Sequence, residues 1–261
     1  MLNKIFNKLG FNLLSLKEQS NYPYQKKYDT CNQKFKAWIP DEVAKRWYDV
    51  EFKNNIEELK ILNSMIQPED RVLELGVHYG FYASFISNHL KGGAYLGVEL
   101  QPKSAMYAHS NLSLNGFKNS QILNAAAGSK KGIISYEPFQ NGNANVSKNT
   151  ETDFKMDVVA ADDLAEEYGD FTFLKIDVEG FELEVLKGAK KLLSKKPKLA
   201  IELHNPFLSK QEIIDIFELI DTKNYEGQMF IRPSYQMEKF DKDKAMKSEN
   251  IVNIFLTPKI N

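Results

Sequence analysis

Apolar positions along the chain follow two regimes that meet at Pro68. Before it, Val43, Trp47, Val50, Phe52, Ile56, Leu59, Leu62 and Ile66 recur at mostly three- or four-residue steps, which predicts helix from Asp41 to Ile66. Residues 20–36 (SNYPYQKKYDTCNQKFK) are polar and aperiodic and read as a linker. From Arg71 onward, short apolar runs alternate with amphipathic stretches, the pattern of a mostly parallel sheet with crossover helices. Strands are predicted over 72–75, 95–99, 121–123, 171–176, 199–203 and 229–231, and helices over 79–90, 102–115, 179–193 and 209–221. Pro102 suits a first helical turn, and Asn115-Gly116 a left-handed cap.

Two segments break the alternation. Residues 128–160 form an insertion with a predicted hairpin and an Asn/Gly-rich loop, QNGNANVSKN. A polar link of about twenty residues then separates 229–231 from a last strand over 251–256; without a crossover helix, those two strands must run antiparallel. The chain divides into a partly helical N-terminal extension, residues 1–66, and an α/β domain, residues 67–261.

Composition narrows the function classes. Thirty-four basic residues against 35 acidic ones leave a net charge of −1, which argues against a protein built to neutralise nucleic-acid phosphates. A single cysteine, Cys31, excludes an intrachain disulfide and a Cys-rich zinc site, and fits a reducing, cytoplasmic setting. No run approaches the ~18 apolar residues of a membrane span. Residues 1–17 mix Lys4, Lys8 and Lys17 with apolar positions; they lack a signal-peptide core and suit a weak contact with a membrane surface or a partner. The oligomeric state is left open.

Chemistry concentrates at the ends of predicted strands. Glu74-Leu75-Gly76-Val77-His78-Tyr79-Gly80 bridges the first strand and the next helix, where glycine admits a ligand to the backbone. A dinucleotide fingerprint needs glycine at relative positions one, three and six, and only Gly76 satisfies it. The S-adenosylmethionine spacing of one, three and five is met by Gly76 and Gly80, with His78 between them. Glu99 ends the second strand, placed to accept hydrogen bonds from ribose hydroxyls. Asp177 ends the strand Phe173-Leu174-Lys175-Ile176, with Glu179 two residues on; in the following helix Glu182 and Glu184 read as outward surface acids. Glu202 and His204 end the neighbouring strand, and His204 has a suitable ordinary pKa for a general base. Asp177, Glu179, Glu202 and His204 could also bind a hard divalent metal through their carboxylates, but they have no characteristic ligand spacing and no metal is assigned. HExxH, GxSxG and phosphate-loop motifs do not occur.

The segment LKIDVEGFELEVLKGA resembles the signature of FkbM-type S-adenosylmethionine-dependent methyltransferases. PEDRVLELGVHYGFYA, YLGVELQP, NAAAG, VVAADDL, LAIELH and VNIFLTPK agree in order, so that the resemblance covers roughly residues 68–258. It implies a class I methyltransferase (Rossmann-like) fold, α/β, with a seven-stranded mostly parallel sheet and an antiparallel last strand. It implies O-methylation of a sugar, glycan or secondary metabolite, with S-adenosyl-L-methionine as cofactor. Carried over by position, Glu74, Gly76, His78 and Gly80 would hold the methionine end, Glu99 the ribose, and Asn124, Ala125 and Ala126 the adenine. At His78 the chain departs from the small or Asn residue usual in the family. Asp177, Glu179 and His204 are the expected catalytic wall, with His204 as base. The loop 140–149 and the segment 232–243, with Tyr235 and Phe240, are expected to cover a small-molecule or glycan acceptor. The competing expectations are an NAD-dependent oxidoreductase, which the glycine spacing disfavours, and a non-catalytic scaffold.

Overall fold

A computed structural model describes residues 21–138, 144–146 and 154–259; the segment 1–17 and most of the loop 140–149 lie outside the described residues. The first described element is an antiparallel hairpin, β1 (Tyr24–Thr30) and β2 (Gln33–Ile39), where a linker was expected. Burial along β2 alternates strictly, with Gln33, Phe35, Ala37 and Ile39 inward. Cys31 and Asn32 turn the chain with φ of 52° and 59°, the left-handed pair that closes a two-residue hairpin. The period of two was present in QKFKAWI, hidden by its polar outward positions.

The predicted helix over 41–66 is interrupted. A short helix, Glu42–Lys45, capped by Asp41, runs into a π-turn at Arg46–Val50 and a 3-10 turn at Phe52–Asn55 before Ile56–Met65 resumes as α-helix.

The central sheet comprises β3 (Arg71–Leu75), β4 (Ala94–Glu99), β5 (Ser120–Asn124), β10 (Phe173–Ile176), β11 (Lys198–Leu203), β12 (Tyr225–Ile231), β13 (Glu238–Lys239) and β14 (Val252–Pro258). Their order is β13-β12-β14-β11-β10-β3-β4-β5. The neighbours from β11 to β5 pair in parallel, and β14 runs antiparallel between β11 and β12. The strand count is eight rather than the expected seven, because the polar link contributes the two-residue β13; it also holds a short helix, Lys242–Lys247. β3, β4, β10 and β11 are buried almost throughout, as strands covered on both faces must be.

Alternation along β3 sends Val72 to one hydrophobic cluster and Leu73 and Leu75 to the other, giving three layers. One outer layer holds the helices Ala161–Tyr168, Glu182–Lys187 and Lys210–Ile220. The other holds Ile56–Met65, Phe81–His89, Pro102–Asn115 and the hairpin. Phe35 packs against Phe81 and Phe85 at ring-centroid distances of 5.6 and 6.0 Å, and the Trp38 amide donates to Asn111 Oδ1 at 2.6 Å. The extension therefore shares a hydrophobic cluster with the sheet. The insertion forms a separate sheet of β6 (Ala126–Ala127), β7 (Gly132–Pro138), β8 (Ala144–Val146) and β9 (Lys155–Val159), ordered β6-β9-β7-β8. Among the described residues no helix is long and apolar enough to cross a membrane.

Candidate active site

Parallel strands deliver their C-terminal ends to one edge of the sheet, and the turns that follow them enclose a cavity of ≈ 390 Å³. Its floor is the turn after β3. Gly76 holds φ +89°, and a Cβ there would lie 1.7 Å from the Asp177 carbonyl oxygen, so the β3 and β10 turns approach this closely only with glycine present. Gly80, at φ +79°, lies against Ala108 and fixes the following helix without lining the cavity.

Glu99 ends β4 beneath that turn. Its Oε2 accepts from the Val77 and His78 amides at 3.1 and 2.7 Å, and its Oε1 from the Gln101 amide at 2.8 Å. Burial lifts its carboxyl against the pull of these three donors, to about 7. Three of the four acceptor positions of a carboxylate are thus taken by backbone, which leaves Oε1 one position for a hydroxyl.

His78 sits at φ +53° and receives or donates a 2.7 Å bond between Nδ1 and the Tyr48 hydroxyl, beside Trp47 at a centroid distance of 5.3 Å. The π-turn carries Trp47 and Tyr48 to the cavity, and Glu51, Asn54 and Asn55 follow. Such turns recur at functional sites. This wall went unread in the sequence because Trp47 was assigned to the apolar stripe of one regular helix and the others fell outside that stripe.

Ala125 and Ala126 line the cavity as expected, and Ala127 joins them. Asn124 does not; its amide ties down the Glu99 and Leu100 carbonyls at 2.8 and 3.1 Å. Glu74 also lies behind the lining. It is 1% exposed, paired with Lys175 Nζ at 3.0 Å and accepting from the Tyr95 hydroxyl at 2.5 Å.

Asp177, Glu179 and His204 do converge. His204 Nε2 has Glu179 Oε2 and Glu202 Oε1 at 3.5 Å and Asp177 Oδ1 at 3.9 Å, while Nδ1 meets Glu182 Oε1 at 2.7 Å. Glu182 is therefore no surface acid; it is fully buried and also accepts from the Gly180 amide at 3.0 Å. Glu182 precedes the buried Val185 and Leu186 by three and four residues, so helical period alone puts it on their inward face, and only its charge suggested the surface.

Burial would push the His204 imidazole down, but the Glu182 bond and the charges of Asp177 and Glu202 outweigh it and raise it to about 10. The surrounding carboxylates thus favour its protonated form, unlike the free imidazole expected of a general base. Glu202 rises to about 7, through burial first and then Asp177, with Arg232 opposing. Arg232 Nη2 binds Glu202 Oε2 at 2.7 Å and lines the cavity with Tyr235; Phe240 instead packs on Phe217, away from the cavity. Three cavity residues, His78, Glu179 and Tyr235, hold left-handed φ without being glycine, backbone strain of the kind that collects at functional sites.

A Rossmann-like sheet with β14 inserted antiparallel, a glycine turn and an acid at the end of the next strand define a methyltransferase of class I architecture. The methyltransferase FkbM domain model matches residues 74–228, and the chain belongs to that family. S-adenosylmethionine is its methyl donor. Similar folds include an rRNA methylase from Streptococcus thermophilus, 10% identical over 79% of this chain and 97% of that one, at a TM-score of 0.49. Aeropyrum pernix fibrillarin with natively bound S-adenosyl-L-methionine is 12% identical over 91% and 83% of the two chains, at 0.47. An O-methyltransferase from Bacillus cereus in complex with SAH is 16% identical over 78% and 80%, at 0.46. No curated protein matches the chain.

Proposed function

We propose that the protein methylates a hydroxyl oxygen of a sugar or glycan, or of a polyhydroxylated secondary metabolite. The observation that carries this is the make-up of the cavity wall beyond the cofactor turn. Trp47, Tyr48 and Tyr235 offer ring faces, while Asn54, Asn55 and Glu51 offer hydrogen-bonding edges, the pairing that a polyol's apolar face and hydroxyl rim require. The cavity falls within the ~300–1,000 Å³ of small-molecule pockets. Gly76, Glu99 and Ala125 to Ala127 fit the donor, because the glycine turn brings backbone to the cavity, Glu99 keeps one acceptor position, and the alanines leave room for a flat base. When bound, S-adenosylmethionine supplies an electrophilic methyl group on a sulfonium centre.

The chain's own task is to align the acceptor and take its proton. The side chains of Asp177 and Glu179 are 28% and 33% exposed, against 2% for His204, so these two carboxylates meet the acceptor and His204 stands behind them. A methyl-transfer screen against nucleotide sugars, purified glycans and phenolic or polyketide alcohols tests this, with Asp177→Asn as the paired variant. Methylated oxygen on a polyol is expected, with turnover reduced roughly 10²-fold in the variant and SAH affinity little changed. Methylation only of nitrogen or carbon acceptors would overturn it.

A further inference from the structure

The imidazole of His204 is 2% exposed, yet its Nε2 has no carboxylate oxygen within the ~2.7–3.2 Å of an N–H···O bond. It points instead into a gap shared by Asp177, Glu179 and Glu202. The other ring nitrogen is held by the fully buried Glu182. A carboxylate on Nδ1 is the device that aims a metal-binding histidine, and a cation arriving at Nε2 takes the place of the proton that the surrounding carboxylates favour there.

We propose that Asp177, Glu179 and His204 bind one divalent cation at the acceptor end of the cavity, with Glu182 as a positioning residue. One ligand atom from each of the three lies within 4.8 Å of the others. Two ligands on one ion at ~2.0–2.3 Å are about 3 Å apart when cis and at most about 4.6 Å apart when trans, so the set closes by an inward swing of the two part-exposed carboxylates toward the fixed imidazole. Charge points the same way. Four carboxylates, of Asp177, Glu179, Glu182 and Glu202, surround the gap, against Arg232 on Glu202 and the Lys175 ammonium 3.9 Å from Asp177, itself paired more closely with Glu74. Two carboxylates and one imidazole form a mixed oxygen–nitrogen set that suits a first-row divalent ion such as Mn²⁺ and leaves positions open to further oxygens. Resting on the acceptor reading above, those positions face the aromatic and amide wall, where adjacent hydroxyls of a polyol would complete the coordination. The ion then fixes which hydroxyl is presented and favours its deprotonated form, the proton passing to solvent or to a neighbouring carboxylate.

The test is Mn²⁺ binding to the full chain, followed by electron paramagnetic resonance and calorimetry with neither donor nor acceptor present, beside a separate SAH titration. One Mn²⁺ per chain is expected in the wild type, displaced by competing divalent ions. Glu179→Gln and His204→Ala should weaken it more than tenfold. Glu182→Gln, which touches no ion, should weaken it about 10- to 100-fold through the histidine alone. Glu184→Gln, on the same helix but paired outward with Lys187, should leave it unchanged. Circular dichroism and SAH affinity report whether each variant is folded. Absence of stoichiometric Mn²⁺ binding by a wild type that binds SAH overturns the cation site and leaves the methyltransferase reading standing. So does binding indifferent to Glu179→Gln and Glu182→Gln.

Discussion

Lys175 lies on β10 two residues before Asp177, and its removal tests how the floor of the site is held. The ammonium is 4% exposed, 3.0 Å from Glu74 Oε1 and 3.9 Å from Asp177 Oδ2, and it sits over the Tyr82 ring. Burial lowers it, but the Glu74 and Asp177 charges more than compensate and raise it. Lys175→Met keeps the length of the side chain and strips Glu74 of its counter-charge. Glu74 is already raised by burial, and without the lysine it must fold with a proton. From an ordinary glutamate value of about 4.3, that proton costs about 3.7 kcal/mol at pH 7 and about 1 kcal/mol at pH 5. The sign follows from proton binding. The variant's folded state holds one proton more than its unfolded state above about pH 4.3, so stability is full below that pH and falls as pH rises. At ~2–4 °C per kcal/mol, thermal unfolding at pH 7 should drop by about 7–15 °C and recover most of that at pH 5. The double variant Lys175→Met/Glu74→Gln, which keeps an acceptor for the Tyr95 hydroxyl, should return to within about 1 kcal/mol of wild type. A loss below 1 kcal/mol at pH 7, or one equal at the two pH values, would refute the reasoning.

Gly76→Ala should weaken SAH more than tenfold in calorimetry, since its methyl meets the Asp177 carbonyl and its φ is left-handed; unchanged affinity would show that the turn yields without consequence. Glu99→Ala should cost the cofactor about 1.5–3 kcal/mol by losing a charge-assisted bond and the anchor of the Val77 and His78 amides, with no heat from NAD in either protein; a wild-type SAH affinity would confine Glu99 to the turn. Phe35→Ala should destabilise the whole protein by about 3–5 kcal/mol in a single unfolding transition, whereas a change under 1 kcal/mol would mean that the hairpin is an ornament on the domain.

The sheet was legible because its strands are short, mainly apolar runs in which Glu74 and Lys175 are isolated interior charges, and because Pro102 and Gly116 punctuate their helix where the chemistry of caps requires. Residues set by a strand end, Asp177 and His204 among them, were legible for the same reason: a register of two residues leaves little freedom. Two features of the helices were not. A π-turn carries Trp47 and Tyr48 onto the cavity, a shift that leaves the hydrophobic spacing almost unchanged. Glu182 shares the inward face of Val185 and Leu186, and its charge masked a placement that the helical period already implied. The hairpin was hidden differently, since the polar half of an alternating strand dilutes the apolar half.

Synthesis gives the hairpin a further consequence. Residues 24–39 leave the ribosome well before the helices at 81–89 and 102–115 that receive them. Until some seventy further residues have emerged, Tyr28, Phe35 and Ile39 have no surface to cover them, and two strands alone are marginal in water. The hairpin is thus made early but becomes stable late, and in that interval its apolar face is open to chaperones and to other nascent copies.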